Sequence, residues 1–133
     1  VEMVNLNTLA QKSDFISIHI HLNKDTEGLV NMDFLKKMKK NSVIINTSRG
    51  KIINELDLLY ALQESIIAGA ALDVIDGEWL TKQELYKHPL IEYSRNSDKI
   101  IISPHIGGAT IESIYGARLF MAKKVANFLS ELD

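Results

Sequence analysis

Cysteine is absent from the 133-residue chain, which excludes a disulfide framework and a thiolate metal site. Charge of one sign is not in excess either. The formal net charge is −2 with 24% charged residues, so the composition does not call for nucleic acid or a membrane surface. No signal-peptide pattern stands at the start, and repeats and low-complexity tracts are missing, which makes a cytoplasmic setting the default expectation. Glycine is scarce early. None precedes Gly28, and G-x-G-x-x-G occurs nowhere, so the usual pyrophosphate-binding turn of a dinucleotide site is lacking. The chain opens at Val1 rather than methionine, and the expectation is a piece of something longer. What is present, 46% hydrophobic residues over a length suited to one domain, reads as an ordinary globular protein with a real core.

The organising stretch is Val43 to Ile53. A short β-branched run, Val43-Ile44-Ile45, reads as a buried strand and ends in Asn46-Thr47-Ser48-Arg49-Gly50. Around it helix and strand alternate. Leu6, Leu9 and Ala10 suggest a helix ending near Ser13, followed by a strand over 15–20. Asn31 caps a predicted helix over 32–40, where Lys36, Lys37, Lys39 and Lys40 would complement the dipole at its end. Asn54, with Asp57 three residues on, resembles a capping box opening a helix that carries Leu56, Leu59, Ala61 and Leu62. A strand follows over 66–75, with Gly69 allowing a close backbone approach. Residues 78–99 are irregular apart from one helical turn near 83–86. Ile100-Ile101-Ile102 gives a fourth strand closed by Pro104. A single long helix then runs over about 110–132 with two apolar stripes, through Ile114, Met121 and Val125 and through Tyr115, Leu119 and Ala126, wide enough to need two partners.

Alternating β and α elements predict an α/β fold with a parallel sheet and helices on both faces. The carboxyl ends of the four strands then share one edge, where ligands bind in open α/β sheets. His21 follows the first strand, Arg49 the second, Asp73 to Glu78 the third and His105 the fourth. Arginine offers a planar fork for a carboxylate, and an acidic group beside a histidine favours the imidazolium, the form of a general acid. Gly107-Gly108 beside His105 would let a flat cofactor ring approach the backbone.

Asn46-Thr47-Ser48-Arg49-Gly50, Ala71-Leu72-Asp73-Val74, Gly77-Glu78 and Pro104-His105-Ile106-Gly107-Gly108-Ala109-Thr110 together resemble the NAD-dependent D-isomer-specific 2-hydroxyacid dehydrogenases, nearest the phosphoglycerate dehydrogenase-like branch. Order and spacing agree over about 6–129, with 29 positions from Arg49 to Glu78 and 27 from Glu78 to His105. The resemblance implies a Rossmann-like, doubly wound fragment. Residues 1–133 would be the second half of an NAD-binding domain, without the glycine-turn half and without the substrate domain. It also implies a catalytic set of Arg49, which binds and polarises the substrate, Glu78, which tunes the imidazole, and His105, which gives or takes the proton. Further contacts to NAD are implied for Ile20, His21, Thr26, Thr47, Ser48, Asp73 and Gly108, alongside Arg49 and His105. The implied substrate is a small 2-hydroxy or 2-keto acid. Separately, an open parallel sheet edge and the two apolar stripes of the last helix call for cover, so the expected assembly is a homodimer or larger, or a complex with a retained companion fragment.

Two positions depart from the family pattern: His21 stands where a proline is usual and Trp79 where a proline commonly follows the glutamate. Plainer roles stand beside the chemical ones. Asp73 could cap the loop after its strand, Glu78 could be a solvated loop residue, Trp79 reads as a loop anchor, and His19 with His21 could share a metal only with help from other ligands. Two other readings of the whole chain are a corepressor-type binding protein, since the transcriptional C-terminal-binding proteins resemble the same family, and an inactive truncated remnant.

Overall fold

The structure, a computed structural model, describes residues 2–130. Four short strands, β1 (Phe15–Ile18), β2 (Val43–Asn46), β3 (Gly69–Leu72) and β4 (Ile100–Ile102), pair in parallel in the order of the sequence. Their register aligns Ile16, Ile44, Ala70 and Ile100 in one row and Ile18, Asn46, Leu72 and Ile102 in the next. Alternate residues of a strand share a face, so both rows point the same way. Against that face lies a single layer of helices. In it α1 (Leu6–Lys12) packs on α2 (Met32–Leu35), α2 on α3 (Glu55–Gln63) and α3 on α5 (Pro89–Ser94), with the short α4 (Lys82–Tyr86) beside α5. Leu35, Leu58, Leu62 and Leu90 close the core from the helix side.

The α/β, Rossmann-like fragment is therefore as expected, but helices on both faces are not. Strands laid down in sequential order by crossovers of one hand carry their helices to the same side. The opposite face holds Phe15 and Ile101, each 70% exposed, and the half-buried Val43, Ile45 and Ala71.

Several boundaries are corrected by local hydrogen bonding. The α2 helix stops at Leu35, because the next bonds, Lys37 N–H to Phe34 O and Met38 N–H to Leu35 O, tighten into turns. The lysines do not close its end. Lys37 reaches Asn7 and Lys39 pairs with Asp14, tying α1 and its loop to the following segment. Asn54 caps α3, but Asp57 does not complete the box: its Oδ2 accepts the Met32 N–H, joining the starts of two helices. On α3 it is Leu58 that is buried, while Leu56 is largely exposed. Ser65 takes a left-handed φ of 55° and Ile66 N–H returns to Ala61 O, so 66–68 close the helix and β3 begins only at Gly69. A Cβ at Gly69 would lie 3.0 Å from Lys99 O, the close approach expected there.

The last helix, α6 (Ile111–Ser130), buries none of its residues. Its stripes, including Ile114, Tyr115, Leu119, Met121 and Val125, are exposed, and Leu132 lies outside the described residues. Among the described residues no helix is long and apolar enough to cross a membrane.

Candidate active site

The loop after β2 is built around Asn46, a fully buried polar residue. Its Nδ2 donates to Arg49 O and its Oδ1 accepts the Ser48 N–H, so both ends of the side chain are satisfied by the turn that follows. The main-chain carbonyl of Asn46 accepts from Asp73 N–H on the neighbouring strand end, and Ser48 Oγ donates to Ile18 O on the other side. Three strand ends are thereby laced together beneath Arg49. The guanidinium itself is exposed, donating through Nη1 to Ser48 O at 2.6 Å, and pairs with no carboxylate among the described residues.

Gly50 explains how the arginine loop meets the next one. A Cβ there would stand 2.1 Å from the carbonyl carbon of Ile75 and 2.2 Å from Asp76 N, so only glycine lets the two main chains touch. The touching loop is the one that leads through Gly77, at φ 76°, to Glu78. Glu78 Oε1 lies 2.9 Å from His105 Nδ1, and this pair from different loops is the closest meeting of expected catalytic residues. The second oxygen, Oε2, is buried without a protein partner. His105 has a left-handed φ of 53°.

What holds His105 there is Asp73. Its Oδ1 accepts from Ser103 Oγ at 2.6 Å and Ile106 N–H at 3.0 Å, and its Oδ2 accepts from Gly107 N–H at 2.8 Å, so the carboxylate brackets the histidine on both sides. Burial opposes the charge, but the donors at Ser103, Gly107 and Ile106 outweigh it and hold the carboxyl below its ordinary range. Asp73 thus caps the loop after β4, not the loop after its own strand as its plainer reading had it. Gly107 is sterically required, since a Cβ would come within 2.9 Å of Asp73 Oδ2, whereas one at Gly108 would meet nothing. Beside the pair opens a cavity of about 610 Å³, lined by Glu78, His105, Trp79, Leu85 and Ile91 among others. Trp79 is not a loop anchor: it is 88% exposed, with its ring centroid 6.3 Å from that of His105. An anchoring tryptophan buries its indole against the core, and this one has no core beneath it.

The remaining sequence candidates line the end of β1. Thr26 Oγ1 donates to His21 O at 2.7 Å and accepts from Asn23 N–H, fixing the turn in which Ile20 and His21 are exposed. Thr47 is exposed at the end of β2. His19 is bonded to Ser17 Oγ at 2.7 Å rather than to a shared site with His21. Asn46 and Ser103 were not among the expected site residues. Their only signal in the sequence is a polar residue directly after an apolar strand.

Residues 1–107 match the family described as D-isomer specific 2-hydroxyacid dehydrogenase, NAD binding domain. Among individual proteins, the chain is 43% identical over 129 residues to a glyoxylate reductase of Thermofilum pendens, covering 97% of this chain and 34% of that protein. A glyoxylate reductase of Thermococcus litoralis is 39% identical over 127 residues, covering 96% and 36%. The chain thus spans about a third of the length of these relatives. Among solved structures, the NAD-complexed D-isomer specific 2-hydroxyacid dehydrogenase of Lactobacillus delbrueckii ssp. bulgaricus superposes with a TM-score of 0.79 at 29% identity, covering 92% of this chain and 40% of that one. The D-lactate dehydrogenase of Aquifex aeolicus, complexed with NAD and lactic acid, gives 0.78 at 29% identity, with 96% and 40% covered.

Proposed function

This chain belongs to the D-isomer specific 2-hydroxyacid dehydrogenase family, matching its NAD-binding domain, and on that premise we propose that it supplies the acid–base half of an NAD-dependent oxidoreductase acting on a small 2-hydroxy or 2-keto acid. The observation that carries the reading is the 2.9 Å contact between Glu78 and His105 at the carboxyl edge of the sheet, with the arginine loop packed against the glutamate loop through Gly50.

Glu78 accepts at Nδ1, which fixes the neutral ring with its proton on that nitrogen and leaves Nε2 as the working atom. In the oxidising direction Nε2 takes the hydroxyl proton of the substrate; in the reducing direction the imidazolium returns it to the carbonyl oxygen. Glu78 lies against the positive ring that results. Arg49, exposed and paired with no carboxylate among the described residues, grips the substrate carboxylate through two donors and keeps the reacting carbon facing the histidine. NAD, when bound, accepts or gives the hydride. The residues present suit its nicotinamide end. A carboxylate has about four acceptor positions, and three on Asp73 are used, so Oδ2 keeps one for a carboxamide N–H. Ile20, His21, Thr26, Thr47, Ser48 and Gly108 border the same edge.

The bare sheet face and the unburied α6 support a homodimer or a complex with a companion fragment, because apolar surface of that extent is covered in stable proteins. In the complete polypeptide that carries this segment, Arg49→Lys should lower the turnover of a 2-keto acid with NADH at least about tenfold while leaving NADH affinity within about twofold, because lysine keeps the charge and loses the two-pronged grip. Unchanged turnover would refute a substrate-binding Arg49.

A further inference from the structure

A second glutamate–histidine pair lies behind the first. Glu55 opens α3, immediately after the segment that carries Gly50, and His88 stands just ahead of α5. Their side chains are 15% and 9% exposed, and Glu55 Oε2 is 3.0 Å from His88 Nε2. Each also reaches the same residue of the main chain. Glu55 Oε1 accepts the Asp76 N–H at 2.8 Å, and His88 Nε2 lies 3.2 Å from Asp76 O. A carboxylate and a carbonyl can only accept, so Nε2 carries the hydrogen and shares it between them.

Asp76 is two residues before Glu78, and its nitrogen is one of the atoms against which Gly50 is pressed. Both main-chain polar groups of this one residue are therefore held by side chains at the starts of two helices, while the residue after Arg49 packs on the peptide bond that precedes it. The swivel at Gly77 follows at once. Gly77 turns the chain at φ 76° directly onto Glu78, and its carbonyl accepts from Leu80 N–H at 2.9 Å, so the glutamate leaves from a turn whose near end is fixed by what holds Asp76. Nothing else among the described hydrogen bonds holds the Asp76 main chain.

We propose that Glu55 and His88 are positioning residues that clamp the Asp76 main chain and thereby aim Glu78 at His105, relative to an Arg49 loop resting on the same peptide. The proposal deepens the functional reading above and rests on it for the role of the aimed pair, but not for the aiming itself. Burial pushes the Glu55 carboxyl above its ordinary value despite the Asp76 N–H and the His88 ring, which favour its charge, as fits a carboxylate kept inside for a structural purpose. His88 Nδ1 is buried without a partner, so the ring is held through Nε2 alone.

The test is the tautomer of His105, read from ring nitrogen shifts of the 15N-labelled chain at a pH where the ring is neutral. The wild type should show a single tautomer with the proton on Nδ1. In E55Q the amide oxygen can keep the Asp76 N–H only by turning its NH2 on His88 Nε2, which must then accept and stop donating to Asp76 O, and in the other orientation the NH2 faces the Asp76 N–H; either way one half of the clamp is lost and His105 should move to a mixed-tautomer pattern. H88F, which fills the space and donates nothing, should do the same, and H88Q, which restores a donor for Asp76 O, should bring the single tautomer back. A merely structural pair would lower the melting temperature in all three and leave the tautomer alone. Unchanged His105 shifts in folded E55Q would overturn the proposal. Hydrogen exchange on the wild type needs no variant: the Asp76 amide should be protected at least about tenfold, and unprotected exchange would overturn it as well. Both readouts are free of catalysis, so an inactive complete enzyme would count against the proposed function and leave the clamp standing.

Discussion

Asp73→Asn separates a carboxylate that builds the site from one that only decorates it. Three donors converge on Asp73, at 2.6, 3.0 and 2.8 Å, in a place where the residue is 8% exposed. In the variant the amide oxygen can keep Ser103 and Ile106, but as neutral bonds of about half the strength. Its NH2 then faces the Gly107 N–H, and an unmade buried donor costs about 1–3 kcal/mol. Together the loss should be about 3 kcal/mol at neutral pH. With an m-value of about 2 kcal/mol/M for a chain of this size, the urea midpoint falls by about 1.5 M. The pH dependence has a definite sign. Asp73 titrates below its ordinary 3.8 in the folded protein, so the stability it supplies is complete above that value and is lost as pH falls through the lower, folded one. The gap between wild type and variant should therefore be full at pH 7 and shrink steadily below about pH 3.8. Urea titrations at a series of pH values measure both. A gap under about 1 kcal/mol at pH 7, or one that does not change on acidification, would refute the bracketing role.

Three other perturbations follow from the site. In the complete polypeptide Glu78→Gln keeps a hydrogen-bond acceptor for Nδ1 but removes the negative charge beside the ring, so turnover of a 2-keto acid should fall at least about tenfold with NADH affinity within about twofold; unchanged turnover would sink the pairing. Gly50→Ala must push the touching main chains apart by more than about 1 Å, at a cost of about 3 kcal/mol, which for a chain of this length lowers the melting temperature by about 10 °C; a shift under a few degrees would show that the contact yields easily. Calorimetric titration of the 133-residue chain with NAD, run beside light scattering, should show weak or no binding and self-association, because the chain has no glycine turn to anchor the pyrophosphate and leaves Phe15, Ile101 and α6 uncovered. Micromolar binding by a monodisperse monomer would contradict both.

Strands and the pairing of candidate site residues were legible in the sequence for different reasons. The Ile100-Ile101-Ile102 run, the heart of the strand expected over Lys99 to Ser103, is β4, because a three-residue apolar run between Lys99 and Ser103-Pro104 leaves little choice of boundary. Asn31 and Asn54 cap α2 and α3 as their short polar side chains suggest. The Glu78–His105 contact spans 27 residues; the parallel topology brings the 73–78 segment and His105 to one edge, while the choice of Glu78 as the partner came from the family resemblance, since no local rule joins two loops. The same distance hid Glu55 and His88. His88-Pro89 reads locally as a stop, yet proline suits the first turn of a helix and here starts α5, bringing His88 back across 33 residues to α3. The resemblance singles out Asp73 as an expected cofactor contact, while its three bonds to the 103–107 loop depend on where β4 ends beside β3, which the sequence does not express. The single helix layer was missed because apolar β2 residues look alike whether a face is covered or bare.

Among the described residues, two other than glycine have a left-handed backbone, and their settings differ. Ser65 follows the end of α3, where such a residue is the common way to finish a helix. His105 ends no helix. A bulky L-residue gives up about 1–2 kcal/mol in that conformation, and glycine or asparagine would give up less. A chain shaped by stability alone would not hold an imidazole there, and the residues around it, Asp73 on both flanks and Glu78 on the ring, are what keep it from relaxing. The strain thus marks position 105 as a place where rigidity of aim outranks ease of folding, and it does so from the backbone alone.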